Sequence, residues 1–298
     1  MRSVATTGFI DVLSEPTSHL VTIDGLTHRY LQWGTDDSPT LLMLHGLRSY
    51  GRTWAPVAEA LAGSYRIIAP DFRGRGDSAW DPRRDYFTNR YVADMEILAG
   101  LLELGRFSIV GHSMGGAVGY AYAAHHPDQV QLLIVEDIGP GSSTDTAGAQ
   151  RIVREMASTP AAFESLQAVH AYWRGIRPDI ADEALASRIE QTVRQSSDGR
   201  WAWKLDMAGI ADARLSGDPS RSVDLWSCVE ALRCPTLVIR GARSDFLTAE
   251  MCAEMARRQA LLQWAEIAGA GHYAHDDNPG AFIQLVREFL ARFDRYSA

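Results

Sequence analysis

A short apolar run, Phe107-Ser108-Ile109-Val110, leads into Gly111-His112-Ser113-Met114-Gly115. The chain leaves that stretch through Gly116-Ala117-Val118-Gly119-Tyr120-Ala121-Tyr122-Ala123-Ala124. The first segment reads as a buried strand and the last as a helix of residues small enough to lie inside a protein. Only a sharp turn joins them. It holds Ser113 at strained backbone angles, and glycine two residues to either side removes the Cβ that would clash there. The serine hydroxyl then projects from the turn, with the free N–H groups of the helix N-terminus behind it.

The rest of the chain repeats the same alternation. Thr40-Leu41-Leu42-Met43-Leu44, Tyr65-Arg66-Ile67-Ile68-Ala69-Pro70, Val130 to Val135, Pro235 to Gly241 and Leu262 to Ile267 read as buried strands. Trp54 to Leu61, Arg90 to Leu104 and Phe282 to Phe293 keep helical spacing between them. Buried strands alternating with helices imply a mostly parallel sheet with right-handed crossovers. Leu20 to Ile23 and Thr27 to Trp33 flank Asp24-Gly25, a hairpin signal, and residues 1–17 read as a loosely held arm. Between about 141 and 225 the strand rhythm stops and only helical patterns are expected, with Trp173, Trp201, Trp203 and Trp226 in or near them. An insertion between two strands of one sheet is expected to cover the C-terminal edge, where ligands bind in such folds. The expected division is therefore a core of 1–140 and 226–298 with a helical cap of 141–225.

Composition narrows the partners. With 298 residues, 46% of them hydrophobic, the chain can bury a large core without splitting in two. A net charge of −8 offers no basic face for nucleic acid. No run of eighteen apolar residues is present, so no membrane partner is expected, and residues 1–8 lack the apolar core of a signal peptide. Cys228, Cys234 and Cys252 have no metal spacing and read as reduced thiols, which gives a cytoplasmic expectation. A small-molecule substrate is the partner left. Oligomeric state is not written in any of these patterns.

A serine hydroxyl is a poor nucleophile at neutral pH and needs a base, an orienting acid and donors for the developing oxyanion. His272, in Gly269-Ala270-Gly271-His272-Tyr273-Ala274-His275, follows the last strand and so lies at the same sheet edge as Ser113. His275 is the rival, but His272 sits directly on the glycine turn.

From His45-Gly46 to Gly271-His272 and Asn278-Pro279, the chain resembles the α/β-hydrolase-fold enzymes, whose order is Ser, acid, His. The resemblance implies a mostly parallel eight-stranded sheet with a helical cap inserted after the sixth strand. It is strongest to small bacterial serine esterases and ring-degradation hydrolases. It implies an oxyanion hole from the backbone N–H groups of Leu47 and Met114, and neither cofactor nor metal. Arg73 and Arg75, in a loop of the family's R-G-x-G-x-S type, are expected to form structural ion pairs. The acid departs from the usual pattern. Most members carry it as G-x-x-D after the strand that follows the cap, but here Ser244 fills that slot and Asp245 lies one residue late. Some members take the acid from the strand before the cap, 24 residues after the nucleophile, which is Asp137. Asp137 is favoured and Asp245 stays open.

The function implied is hydrolysis of a small ester, lactone, thioester or amide through an acyl-enzyme on Ser113. Arg48 beside the oxyanion loop, with Arg174 and Arg177 in the cap, is a candidate for holding a substrate carboxylate. Two readings compete. One is a cofactor-independent oxygenase or perhydrolase-type oxidoreductase, in which the histidine deprotonates a substrate that then meets oxygen. The other is a ligand receptor without turnover.

Overall fold

The computed structural model describes residues 15–144, 146–215 and 221–294. The arm expected over 1–17 lies, for residues 1–14, outside the described residues. In chain order the core begins with β1 (Thr17–Ile23), β2 (Leu26–Trp33), β3 (Thr40–Leu44), α1 (Ala55–Leu61), β4 (Arg66–Pro70) and α2 (Thr88–Leu101). It continues with β5 (Phe107–His112), α3 (Met114–His125) and β6 (Val130–Glu136). The inserted stretch holds α4 (Ala147–Ala157), β7 (Ala162–Phe163), α5 (Leu166–Ile176), α6 (Asp182–Thr192), β8 (Val193–Gln195), β9 (Trp201–Trp203) and α7 (Met207–Leu215). The chain returns to the core through α8 (Leu225–Ala231), β10 (Thr236–Gly241), α9 (Ala249–Arg258), β11 (Leu262–Ile267), α10 (Ala274–Asp277) and α11 (Pro279–Asp294).

One eight-stranded sheet runs in the order β1-β2-β4-β3-β5-β6-β10-β11. The β1–β2 and β2–β4 pairings are antiparallel and the remainder parallel, so the fold is an α/β-hydrolase sheet. The β1–β2 hairpin turns on Asp24 (φ 49°) and Gly25 (φ 76°), two positive φ angles in succession, as a right-twisted hairpin requires. The apolar runs are buried on both sides because the pleat sends alternate residues to opposite faces. Leu41 and Met43 pack with Trp54, Phe282 and Val286 on one face. Leu42 and Leu44 pack with Tyr91, Met95 and Val118 on the other.

The inserted stretch departs from the all-helical expectation. It contains a three-stranded antiparallel sheet, β7-β9-β8, beside its helices. Strands of two or three residues are too short to show a period, which is why the sequence hides them. Aromatic packing holds this small sheet in place. Trp203 lies 5.1 Å from Phe163, 5.5 Å from Tyr172 and 5.8 Å from Trp173, centroid to centroid. Trp173 and Trp203 are thus core residues of the insertion. No described helix is long and apolar enough to cross a membrane.

Candidate active site

The C-terminal ends of the parallel strands bring together residues far apart in sequence. Ser113 follows β5, Asp137 follows β6 and Ser244 lies just past β10, while His272 follows β11. Ser113 has φ 52° and ψ −115°, the strained turn its glycine neighbours imply. A Cβ on Gly111 would stand 2.5 Å from the Gly115 carbonyl oxygen, and one on Gly115 would stand 2.2 Å from that of Leu44. Neither backbone atom has room to move, so both positions demand glycine.

Ser113 Oγ lies 3.0 Å from His272 Nε2, and His272 Nδ1 lies 2.7 Å from Asp137 Oδ2. All three side chains are buried. The carboxylate fixes the tautomer: Nδ1 carries the proton and donates to Asp137, leaving Nε2 to accept the serine proton. Asp137 itself sits at φ 56°, and its Oδ1 accepts the Gly241 N–H at 3.2 Å.

Asp245 is placed differently. Its two carboxylate oxygens accept from Arg151 Nε at 2.8 Å and Nη2 at 2.9 Å, a fork on α4 that holds the Asp245 pKa below the usual carboxylate range. Of the two aspartates open on sequence, only Asp137 meets His272. The residue that sequence reasoning missed is Ser244, whose hydroxyl donates to Asp137 Oδ2 and accepts the N–H groups of Phe246 at 3.0 Å and Leu247 at 3.2 Å. Its position in the usual acid slot was the available signal.

The rival histidine, His275, is buried away from Ser113. Its Nδ1 meets Glu136 Oε2 at 2.7 Å and its Nε2 lies 3.2 Å from Thr53 Oγ1. Burial opposes its charge, but Glu136 and Asp276 outweigh that and hold its pKa above the usual value. His112, Glu136 and His275 form the one His/Cys/Asp/Glu group, among the described residues, compact enough to hold a metal, with candidate ligand atoms all within 4.8 Å. Glu136 and His275 are already hydrogen-bonded to each other there.

Leu47 and Met114 line the cavity that opens onto Ser113, and Met114 is the first residue of α3, where helix N–H groups lack intrahelical partners. Two buried side chains brace this corner. His45 donates from Nδ1 to the Gly46 carbonyl at 2.8 Å and accepts the Phe72 N–H at Nε2, 3.1 Å away. Burial keeps it neutral, with its pKa lowered to about 3. Arg75 donates from Nε to the Leu47 carbonyl at 3.0 Å and from Nη1 to the Tyr91 hydroxyl at 2.6 Å; its Nη2 lies 3.6 Å from Met114 Sδ. Arg73 forms the expected ion pairs, with Asp81 and with Asp94 at 2.6 Å. Arg75 does not: its bonds go to carbonyls, a phenol and a thioether.

The arginines proposed from sequence for a substrate carboxylate are engaged elsewhere. Arg48 is buried, pairs with Glu155 and lies over the Trp173 ring at 5.9 Å. Arg174 pairs with Asp182 at 2.5 Å, and Arg177 with Asp276 and Asp277. None of the three lines the cavity at Ser113.

The chain is similar in sequence and in fold to known hydrolases. The chain is 30% identical over 294 residues to the 3-hydroxybutyrate-oligomer hydrolase of Cupriavidus necator, covering 95% of this chain and 97% of that protein. It is 29% identical over 280 residues to a protein of Bacillus subtilis described as a putative 2-succinyl-6-hydroxy-2,4-cyclohexadiene-1-carboxylate synthase, covering 92% and 98%. The crystal structure of E-2-(acetamidomethylene)succinate hydrolase superposes with a TM-score of 0.81 at 26% identity, over 93% of this chain and 99% of that one. Residues 41–285 match the alpha/beta hydrolase family, and the chain belongs to that family as a hydrolase-type enzyme.

Proposed function

We propose that this enzyme cleaves small carboxylic esters, lactones, thioesters or amides through an acyl-enzyme on Ser113. The observation that carries the reading is the continuous relay Ser113 Oγ–His272 Nε2–His272 Nδ1–Asp137 Oδ2, with links of 3.0 and 2.7 Å. As Ser113 Oγ attacks the acyl carbon, His272 takes its proton and Asp137 stabilises the imidazolium that forms. The tetrahedral oxyanion develops beside the N–H groups of Leu47 and Met114. His272 then returns the proton to the departing alkoxide, thiolate or amine. Water, deprotonated by the same nitrogen, releases the acid and restores Ser113.

The cavity has a volume of about 560 Å³, which suits a small substrate. It is lined by core residues and also by Ile152, Ile210 and Arg214 of the insertion, which supports reading residues 141–225 as a cap over the site. Cys228, Cys234 and Cys252 are buried and free, which favours a reducing, cytoplasmic setting. Similarity to a protein described as a putative synthase favours one other reading, a reaction other than hydrolysis that forms no acyl-enzyme.

A fluorophosphonate probe separates them. We expect labelling at Ser113, and hydrolysis of p-nitrophenyl esters, from acetate to decanoate, that persists without oxygen. Ser113→Ala should abolish labelling and lower kcat by about 10⁴-fold. Labelling at another serine, or turnover that survives in Ser113→Ala, would overturn the acyl-enzyme.

A further inference from the structure

Among the described residues, the charged side chains lining the cavity at Ser113 are Arg214, Arg221 and Asp224. Two of them are satisfied within the protein. Asp224 caps α8, accepting the Trp226 N–H at 3.0 Å and the Ser227 hydroxyl at 2.6 Å. Arg221 pairs with Asp85 at 2.5 Å and lies over the Phe87 ring at 4.0 Å.

Arg214, in the last turn of α7, differs. Its Nη2 donates to the Ser143 carbonyl, and among the described residues no carboxylate pairs with it. It is half-buried, and burial lowers its pKa, with no counter-charge among the described residues opposing the shift. Arg73, Arg151 and Arg177 are also buried in part or whole, yet their pKa values move up because aspartates face them. A desolvated guanidinium lacking an acid gains most from an anion that reaches it, and its planar fork matches a carboxylate. The chain's net charge of −8 makes such a local cation the means of drawing an anion into this cavity.

We propose that Arg214 anchors a carboxylate of the substrate, so that the molecule cleaved at Ser113 is an anionic ester or amide bearing a carboxylate away from the scissile bond. This rests on the hydrolase reading above and narrows its substrate class. One N–H stays on the Ser143 carbonyl and holds the guanidinium in place while the others face the ligand.

The test compares two esters of matched length, mono-4-nitrophenyl adipate and 4-nitrophenyl hexanoate, in wild type, Arg214→Gln and Arg214→Lys. Calorimetric titration with adipate runs beside it. Wild type should favour the adipate monoester in kcat/KM. In Arg214→Gln the ratio of the two values should fall by about 10- to 100-fold, mainly through KM, with Arg214→Lys in between. Adipate binding should weaken in parallel. Hydrolysis of both esters with no preference, or a preference that survives in Arg214→Gln, would overturn the anchor and leave the hydrolase standing. Adipate binding that depends on Arg214 without hydrolysis of either ester would do the reverse. Absence of both would overturn the two together. If Arg214→Gln does not fold, the ratio in Arg214→Lys decides.

Discussion

Ser244 donates its hydroxyl proton to Asp137 Oδ2, the same oxygen that accepts the Nδ1–H of His272 at 2.7 Å. The family resemblance implies an acid where this chain has Ser244. Here the carboxylate that meets His272 follows the neighbouring strand, and Ser244 supports it. With the Gly241 N–H on Oδ1 at 3.2 Å, three donors fix one buried carboxylate.

That arrangement separates the two aspartates by mutation. Asp137→Asn would offer His272 Nδ1 an amide donor, or a weaker acceptor, and favour the tautomer that cannot take the Ser113 proton. We expect kcat to fall by about 10⁴-fold. Asp245→Asn removes a partner of Arg151 on α4, so it should act on the cavity wall: KM rises and kcat falls by less than about tenfold. Ser244→Ala should lie between, at about a tenfold loss in kcat, because His272 keeps its carboxylate. Steady-state kinetics on one p-nitrophenyl ester reads all three. A severe Asp245→Asn with a mild Asp137→Asn would reverse the assignment.

Arg75 gives a second test. Its guanidinium holds the Leu47 carbonyl and touches Met114 Sδ, so one side chain spans both residues whose amides face the proposed oxyanion. Arg75→Lys keeps the charge and loses the fork. Removing one oxyanion donor outright costs about 10²–10³ in kcat. Loosening both should cost about 10- to 100-fold, with KM little changed. A variant that melts earlier but keeps its kcat would mean that Arg75 only stabilises the loop.

Much of this was legible because its signals are local. The apolar runs of β3, β5 and β6 and the glycines around Ser113 are each written within a few residues, whereas the 24-residue step to Asp137 comes only with the family resemblance and leaves Asp245 open. Partner choice is not local. Arg48 finds Glu155 107 residues away, and Arg177 finds Asp276 99 residues away, so arginines expected to hold a substrate carboxylate are already paired. Arg73 and Arg75 share one loop, yet only Arg73 reaches Asp81 and Asp94, because the loop turns the two side chains to different neighbours. The two-residue strand β7 and three-residue strands β8 and β9 fall below the length at which alternation can be read.

The junction between insertion and core predicts a pH effect. Asp276, on α10 and nine-tenths buried, faces Arg177 and Arg188 from the insertion and His275 on its own helix. Burial alone would raise its pKa, but His275, Arg177 and Arg188 together lower it to about 2. An unfolded aspartate titrates near 3.9, so this carboxylate stabilises the fold above that pH and loses its contribution as pH falls through about 2. The full contribution is about 2 kcal/mol, of which about 1 kcal/mol is gone by pH 3. His275 titrates with the opposite sign: its raised pKa adds stability below about 6.5 that is lost as pH rises through its folded value. Asp276→Asn should therefore be most damaging at pH 5–6. The gap in unfolding free energy between wild type and variant should narrow by about 1 kcal/mol at pH 3, measured by urea titration at each pH. A gap that stays constant from pH 6 to pH 3 would mean that Asp276 ionises alike in folded and unfolded chains, and that Arg177 and Arg188 hold it no better than water does.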